Sequence, residues 1–306
     1  MEVLVIGGTY FLGVFIVKKL IKRGYKVTIL NRGNKKGLFG KNVSEIYLDR
    51  RNLSAFNETL SEKEFDVVID LTAYLPKDTK AAIDIFSCKK IRHFLHCSTI
   101  AVYSANNKMP LTEESKREGN SKSCKNPFSS YGLNKSKCED LLFNACKESS
   151  FPATILRPTY IYGPLDYTGR MSYFFKRITN NKPIYLPKEN IKMQQIYAND
   201  VAEAFMLCIN NKNAIGKAYN LCNQNCITFE ELITQIGKTV GANPKLKYPP
   251  FYIPSPKSLP FAYFPFADWS FCCDASKSVK ELKISYTPLE GGLEKTHRWL
   301  KQSNQL

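Results

Sequence analysis

Residues 3–33 read VLVIGGTYFLGVFIVKKLIKRGYKVTILNRG: an apolar run, a glycine-rich turn, an amphipathic stretch and a second apolar run. The runs at 3–7 and 26–30 are rich in β-branched residues and predict strands, and the apolar spacing from Leu12 to Arg23 predicts a helix. In such a strand–turn–helix unit the backbone N–H groups of the turn and the positive end of the helix face a phosphate. The segment therefore predicts a nucleotide-binding α/β fold. It leaves open why a tyrosine, Tyr10, stands in the middle of the turn.

The same alternation continues along the first half of the chain. Further strands are predicted at 44–48, 66–71, 93–98 and 153–158, with a helix from Lys77 to Lys89 between two of them. Near-continuous apolar strands that alternate with helices indicate a parallel sheet with helices on both faces. We predict a Rossmann-type, doubly wound α/β fold.

The pattern changes after about residue 165. We predict a dinucleotide-binding domain at 1–165, to which 191–212 returns, and a smaller C-terminal substrate-binding lobe over most of 166–306. The proline- and aromatic-rich stretch 248–269 is expected to be ordered and to pack over the ligand cleft. The chain from Ser276 onward predicts a helix, a short extended piece and a final helix.

Composition excludes several classes of protein. With 306 residues and 43% hydrophobic residues the chain can form a full core, and no apolar run reaches the roughly 18 residues of a membrane-spanning helix. The sequence starts with a strand and not with a basic and apolar leader, so we expect a cytoplasmic protein that does not contact a membrane. The ten cysteines form no CxxC pair, and the three histidines lack metal-binding spacing. We therefore expect reduced structural thiols and no metal site.

The formal net charge of +17 has two interpretations. It indicates either a polyanionic partner such as RNA or a lysine-rich surface that is simply solvated. The lysines occur singly or in pairs along the whole chain, whereas a nucleic-acid footprint is clustered. The solvated surface is the favoured interpretation, and a nucleic-acid partner stays open.

The end of the second predicted strand bears on the choice of cofactor. About 20 residues beyond the glycine turn, a carboxylate binds the ribose hydroxyls of NAD, whereas an arginine accepts the 2′-phosphate of NADP. This strand ends in Asn31 and Arg32, with no acid. The sequence favours NADP slightly and leaves NAD open.

A second motif, SSYGLNKSKCEDLL, contains Tyr131 and Lys135 four residues apart. On a helix these side chains share one face. A free tyrosine titrates near pH 10 and is a poor base at neutral pH, but a neighbouring ammonium favours its phenolate. The pair alone has two interpretations: a tyrosine that takes a proton from a substrate hydroxyl while hydride passes to nicotinamide, or a solvated pair on a helix surface.

With these motifs the chain resembles the extended short-chain dehydrogenase/reductases, the NAD(P)-dependent epimerase/dehydratase family. GGTYFLG resembles the family's GGxGFxG turn, HCSTIAVYS its S-(S/T)-x-x-V-Y-G strand end, and RPTYIYGP its RPxxxYGP segment. YLDRRNLSAF, VVIDLTAY and IYANDVAEAF are similar to further segments of the family. The resemblance covers nearly the whole chain.

The resemblance implies which residues contact a cofactor. It places Asp49 beside the adenine, and Tyr10, which replaces the family's middle glycine, over the adenosine end, unless this tyrosine is only an exposed aromatic. The residues that it implies for the cofactor are Gly7, Gly8, Thr9, Tyr10, Phe11, Leu12, Gly13, Asn31, Arg32, Asp49, Arg50, Leu71, Thr72, Ala73, Ser98, Tyr131, Lys135, Pro158 and Tyr160.

The resemblance also implies the catalytic roles. Tyr131 would be the acid and base, Lys135 would lower its pKa and anchor the ribose, and Thr99 would hydrogen bond to the reacting oxygen. The residues expected to contact the substrate are Tyr74, Ser98, Thr99, Arg170 and Gln195.

Two departures from the family's sequence pattern limit which reaction and which substrate class are expected. The family's sugar 4,6-dehydratases carry Asp-Glu after the catalytic Thr, where this chain has Ile100 and Ala101, so that reaction is not expected. Met193 stands where nucleotide-sugar epimerases place an arginine for the substrate diphosphate. A nucleotide sugar is therefore the default substrate class and not a deduction.

The leading hypothesis is an NAD(P)-dependent epimerase or oxidoreductase acting on a sugar-like hydroxyl, with epimerisation and net reduction both open. The alternatives are an RNA-binding protein or a cofactor-sensing regulator on the same fold, which the intact Thr99, Tyr131 and Lys135 set disfavours. We also predict a homodimer that pairs through the helix at 130–148, whose apolar residues include Leu133, Leu141, Leu142 and Ala145.

Overall fold

The first apolar run becomes a central strand because both of its faces are covered. The computed structural model describes residues 1–104, 107–117, 129–186, 191–248 and 270–306. Val3 and Val5 point to one face of the sheet and are buried in one apolar cluster. Leu4 and Ile6 point to the other face and are buried in a second cluster. Alternate residues of a strand face opposite sides, so a continuous apolar run satisfies two helical layers at once.

The secondary-structure elements follow the predicted alternation. The strands are β1 (Glu2–Ile6), β2 (Lys26–Asn31), β3 (Val43–Tyr47), β4 (Val67–Asp70), β5 (His93–Cys97), β6 (Ala153–Pro158), β7 (Tyr160–Tyr162), β8 (Ile184–Tyr185), β9 (Lys192–Met193), β10 (Gln195–Tyr197), β11 (Ala218–Leu221), β12 (Ile227–Thr228) and β13 (Leu246–Lys247). The α-helices are α1 (Leu12–Lys22), α2 (Leu53–Ser61), α3 (Pro76–Ser87), α4 (Ser129–Ser149), α5 (Arg170–Thr179), α6 (Ala198–Cys208), α7 (Phe229–Val240), α8 (Ser276–Leu282) and α9 (Leu289–Gln302). Short 3₁₀ helices lie at Gly40–Asn42, Ile100–Val102 and Lys212–Ala214.

Seven strands form one parallel sheet in the order β11-β6-β5-β4-β1-β2-β3. The chain runs from β1 outward to β2 and β3, and then returns to place β4 on the other side of β1. Such a reversal leaves a crevice at the carboxyl ends of the strands, where doubly wound proteins bind their ligands. The predicted Rossmann-type fold is confirmed.

The six strands predicted for this sheet are all present, with ends within two residues of the prediction. The seventh, β11, was not predicted, because its four residues contain no β-branched residue and include the polar Asn220. It is completely buried and pairs with β6. A short strand of this kind carries too weak an apolar pattern to be recognised without its neighbour.

Helices cover both faces of the sheet. On one face α1 and α6 pack together, with Val17 and Phe205 in the same buried cluster. On the other face α2, α3 and α4 contribute Phe56, Phe86 and Leu142 to a second cluster. The layer order is the one expected from strands that are apolar on both sides.

A third buried cluster joins α5, α7 and α9, through residues such as Phe174, Ile233 and Leu293. The division at about residue 165 stays a prediction, although α6 and β11, which come later in the chain, pack with the main sheet. The predicted lobe at 248–269 lies outside the described residues apart from Tyr248. The predicted helical tail is confirmed by α8 and α9.

The expectation that all cysteines are reduced is wrong for one pair. Cys226 and Cys272 form a disulfide with a Cα–Cα separation of 5.7 Å, and the other cysteines in the described ranges are free. Cys226 precedes β12, which pairs with β9, and the backbone N–H of Phe271 donates to Lys192 of that same β9 strand. The two thiols are brought together by the tertiary fold, and their spacing in the sequence gives no indication of the bond.

The predicted homodimer stays a prediction, but half of the side chains cited for it are used within the chain. Leu142 and Ala145 are buried in the cluster between α4 and the sheet, whereas Leu133 and Leu141 are only partly buried.

Within the described ranges, no helix combines the length and hydrophobicity that crossing a bilayer requires.

Gly132 allows α4 to lie against the 3₁₀ helix that follows β5. A Cβ at this position would overlap the carbonyl oxygen of Ala101. We expect Gly132→Ala to lower the free energy of unfolding, measured in urea, by about 1–3 kcal/mol. The matched control is Gly291→Ala in α9, where the nearest atom is the Thr287 Cγ2 at 3.8 Å, and helix propensity should then raise stability by roughly 0.5–1 kcal/mol. Equal effects of the two variants would contradict this close contact.

Candidate functional site

The glycine turn is shaped by steric requirements that only glycine meets. Gly7 has φ +94°, and a Cβ there would overlap the Thr72 side chain. A Cβ at Gly13 would lie 2.5 Å from the carbonyl oxygen of Gly7. The first turn of α1 contains no acidic residue, so its positive end is not neutralised locally. The turn therefore presents a free helix N-terminus to the crevice.

A cavity of about 1130 Å³ occupies that crevice. Every residue predicted for the site lines it except Gly8, Ala73 and Gln195. Gly8 faces Ile29 and Val17 inside the fold, and Gln195 is buried in β10, which pairs with β7. Ala73 is also buried, but its carbonyl oxygen has a role described below. The structure thus brings most of the predicted cofactor residues and all three predicted catalytic residues to one cavity, and leaves Gly8, Ala73 and Gln195 outside its lining.

Tyr131 and Thr99 meet in the wall of this cavity. Thr99 lies two residues after β5, and its hydroxyl accepts a hydrogen bond from the N–H of Ala101 at 3.2 Å. Burial raises the pKa of Tyr131, and its hydrogen bond with Thr99 opposes the rise. From the sequence, the nearby Lys135 ammonium is expected to lower the pKa of Tyr131. In this structure the desolvation of the phenolate outweighs any such attraction.

The ammonium of Lys135 is held by the sheet and is almost completely buried. Its Nζ donates to the carbonyl oxygens of Ala73 at 2.9 Å and Cys97 at 2.5 Å, and lies 3.3 Å from the Nε2 of His96. Burial lowers the pKa of Lys135. Neither the Ala73 carbonyl nor His96 was identified from the sequence, because their contacts with Lys135 depend on how α4 docks on the sheet.

A buried ion pair fixes α4 to the sheet one turn further on. The Glu139 carboxylate accepts hydrogen bonds from the Nε of Arg157 at 2.9 Å and from its Nη2 at 2.7 Å. It also accepts a hydrogen bond from the Ser98 hydroxyl at 2.5 Å. The Nη1 of Arg157 donates to the Tyr103 hydroxyl, which in turn donates to Asn220. Sequence reasoning missed this network, although Glu139 continues the four-residue spacing of Tyr131 and Lys135.

The opposite end of the cavity carries several charged groups. Hydrogen bonds from Arg51 lower the pKa of Asp49 to about 2. The buried guanidinium of Arg50 turns to Asp70, with an Nη1 to Oδ1 distance of 2.5 Å, and to the Asp78 carbonyl oxygen. Asn31 accepts the Gly33 N–H at 2.7 Å, while its buried Nδ2 has no hydrogen-bond partner in the described part of the chain.

Tyr10 lies at the cavity mouth and is 38% exposed. Its ring meets Tyr167 edge-to-face with the ring centroids 5.6 Å apart, and the Nζ of Lys35 lies 4.3 Å from its centroid. The tyrosine that interrupts the glycine turn therefore connects the first turn of the sheet domain with the loop before α5. Tyr167 was not identified from the sequence.

Arg170 is the first residue of α5 and lines the cavity near Tyr160. Its guanidinium carbon lies 5.8 Å from the Tyr160 ring centroid. The buried hydroxyls of Thr159 and Tyr160 have no hydrogen-bond partner among the described residues. These groups provide a cation and two hydroxyls for a polar ligand. In the same ranges, His, Cys, Asp and Glu side chains form no cluster of three that would hold a metal.

We expect removal of the Glu139 carboxylate to destabilise the whole site. Glu139→Ala leaves Arg157 buried without its counter-charge, which should lower the free energy of unfolding by about 3–5 kcal/mol in urea. The control is Glu203→Ala, which removes a more exposed carboxylate bound to Lys19 and Arg23 and should cost less than about 1 kcal/mol. A similar small loss in both variants would show that the buried pair does not anchor α4.

Comparisons with known proteins give a family and a fold. The model of the family described as "NAD dependent epimerase/dehydratase family" matches residues 3–222. The chloroplast stem-loop binding protein of 41 kDa b of Arabidopsis thaliana is 27% identical over 95% of this chain and 77% of its own length. Putative UDP-arabinose 4-epimerase 2 of the same plant is 29% identical over 56% of this chain, which spans only 45% of that relative.

Solved structures share the architecture. The structure of UDP-glucose 4-epimerase from Thermotoga maritima, with UDP-glucose, superposes with a TM-score of 0.83 and covers 99% of this chain and all of that one, at 20% identity. UDP-glucuronic acid 4-epimerase from Bacillus cereus in complex with NAD gives a TM-score of 0.79 at 21% identity, over 99% of this chain and 97% of the other. At this level of identity the likeness shows the fold.

Proposed function

The chain belongs to the NAD dependent epimerase/dehydratase family, and from this premise we propose that it is an enzyme that moves hydride between a nicotinamide cofactor and a hydroxyl-bearing carbon of a sugar or nucleotide sugar. One observation carries the proposal. Thr99, Tyr131 and Lys135 line the same cavity as a glycine turn that leads into a helix N-terminus without acidic residues. The volume of about 1130 Å³ is large enough for a cofactor and a small substrate together.

The residues at the adenosine end fit a dinucleotide. Gly7 lets the turn approach Thr72, and Gly13 lets α1 lie close to the turn. The buried Asn31 Nδ2 has no acceptor in the described part of the chain. Arg32 lines the cavity, and no carboxylate ends β2. The carboxylate of Asp49 is already bonded to Arg51. This arrangement favours NADP over NAD.

In the proposed reaction Tyr131 takes the proton of the substrate hydroxyl onto its phenolate oxygen, and Thr99 donates a hydrogen bond to the same substrate oxygen. A bound oxidised nicotinamide supplies the hydride acceptor and a positive charge. Because burial raises the pKa of Tyr131, the phenolate needs a cation close by, and Lys135 supplies one from the sheet side. In the reverse direction Tyr131 returns the proton.

Dehydration is not part of the proposal. The two positions after Thr99 hold Ile100 and Ala101, and both side chains are buried and without acid or base groups. The sugar class rests on relatives named as UDP-arabinose 4-epimerases, and Arg170 with the free hydroxyls of Thr159 and Tyr160 would bind the polar substrate. In epimerisation the cofactor stays bound and returns the hydride, whereas in net reduction the cofactor leaves and is replaced after each turnover.

A second candidate function is binding of a structured RNA. The relative named as a stem-loop binding protein matches 95% of this chain, and the net charge is +17. The two functions differ in one simple measurement. An RNA-binding protein without redox chemistry has no requirement for Tyr131, so a stem-loop RNA should bind the wild type and the Tyr131→Phe variant equally.

The first test of the enzyme proposal is fluorescence titration with NAD, NADH, NADP and NADPH, followed by turnover assays with UDP-glucose and UDP-arabinose. We expect Tyr131→Phe to bind the cofactor as the wild type does and to lose at least about 100-fold in turnover. The matched control is Tyr25→Phe, which removes the hydroxyl of a tyrosine that does not line the cavity and should keep most of the activity. No binding of any of the four cofactors would refute the enzyme proposal.

Cofactor choice has its own test. We expect Arg32→Ser to weaken NADPH binding by about tenfold, because one charged contact to the 2′-phosphate is lost, and to leave NADH within about twofold. Lys41→Ser, a nearby exposed lysine that does not line the cavity, is the control and should change neither. Equal weakening of both cofactors by Arg32→Ser would contradict the NADP preference.

A further inference from the structure

The Lys135 ammonium has no N–H left for a ligand in this structure. An ammonium carries three N–H donors, and Nζ has three acceptors in reach, the carbonyl oxygens of Ala73 and Cys97 and the Nε2 of His96. The His96 contact is the longest at 3.3 Å, against 2.9 and 2.5 Å for the carbonyls. It is also the only one of the three made by a side chain. His96 is therefore the partner that substitution can remove without changing the backbone.

The chemistry of His96 allows only one role toward this lysine. Its side chain is completely buried, and its pKa lies well below the ordinary value because of burial and, secondarily, the charges of Lys135 and Arg50. A neutral imidazole can accept from the ammonium only through an unprotonated Nε2, which places its proton on Nδ1. Nδ1 has no hydrogen-bond partner among the described residues, so the contact with Lys135 is the only polar one that the ring makes there.

We propose that His96 is a positioning residue, whose Nε2 accepts an N–H of Lys135 and thereby keeps the lysine charged and docked against the carboxyl ends of β4 and β5. This inference rests on the proposed function, in which the charge of Lys135 serves Tyr131. The groups that face Lys135 are His96 and Cys97 on β5, Asp70 on β4, Cys138 and Glu139 on α4, and the Tyr74 ring. The direct polar contacts of the Lys135 Nζ are with the His96 Nε2 and with the backbone carbonyl oxygens of Ala73 and Cys97.

The geometry predicts the sign of the effect. A hydrogen bond to a charged group favours that charged form. Loss of the His96 acceptor leaves a buried ammonium with an unpaired N–H, so the pKa of Lys135 should fall further below its ordinary value. Less positive charge beside Tyr131 should then make its phenolate harder to form, and hydride transfer should require a higher pH.

The test titrates Lys135 directly in the protein without cofactor, by NMR of lysine labelled with ¹³C at Cε and with the signal assigned from a Lys135→Met spectrum. We expect His96→Leu to lower the pKa of Lys135 by about one unit or more, and His96→Gln, whose side-chain oxygen also accepts, to stay within about half a unit of wild type. The control is His93→Leu. His93 is a buried histidine three residues earlier on β5 that bonds to Thr154 and does not touch Lys135.

A fall in the pKa with His96→Leu that His96→Gln restores would support the proposal. Equal values for His96→Leu and His93→Leu, or a Gln variant as low as the Leu variant, would overturn it. If His96→Leu fails to fold by circular dichroism, the Gln variant decides, because a purely structural role for the ring predicts no retention of the wild-type pKa. Since no cofactor is present, failure of the proposed function appears separately, as absence of nicotinamide binding by the wild type.

Discussion

The buried carboxylate of Glu139 is the constraint on which the active-site side of the molecule depends. A carboxylate without solvent must be matched by cations and donors, and here Arg157 from β6 and Ser98 from the end of β5 supply them. Three elements are fixed relative to one another by this one group. Tyr131 and Lys135 stand two turns and one turn earlier on the same face of α4, so docking of Glu139 places them against the carboxyl ends of the strands.

A second network reaches the same lysine from the other side. The Oδ1 of Asp70 accepts Arg50 and also the backbone N–H groups of Thr72 and Ala73, which folds the chain after β4 back on itself. That fold turns the Ala73 carbonyl oxygen toward Lys135. The lysine thus sits where two buried polar networks meet. Its position is set by groups that are themselves held, which is the kind of preorganisation that acid–base chemistry requires.

The features predictable from the sequence are those encoded by neighbours in the chain. The glycine turn, the six predicted strands and the Tyr131–Lys135 spacing are local patterns, and they appear where the patterns place them. The features missed are pairings across the fold: Glu139 with Arg157, His96 with Lys135, and the Cys226–Cys272 disulfide. Gln195 illustrates the limit, because the resemblance implied a substrate contact while the fold buries this residue in β10, away from the cavity.

The electrostatics of the cavity explain why these supporting contacts matter. Burial raises the pKa of Tyr131 above the ordinary tyrosine value, and the hydrogen bond with Thr99 offsets only part of that rise. A cation must therefore face the phenol for it to act as a base. In the proposed reaction Lys135 is that cation, but burial lowers the pKa of its own ammonium, so the ammonium depends on acceptors that stabilise its charge. In the proposed reaction the two carbonyl oxygens and His96 therefore act through Lys135, since their polar atoms contact its Nζ and not the tyrosine.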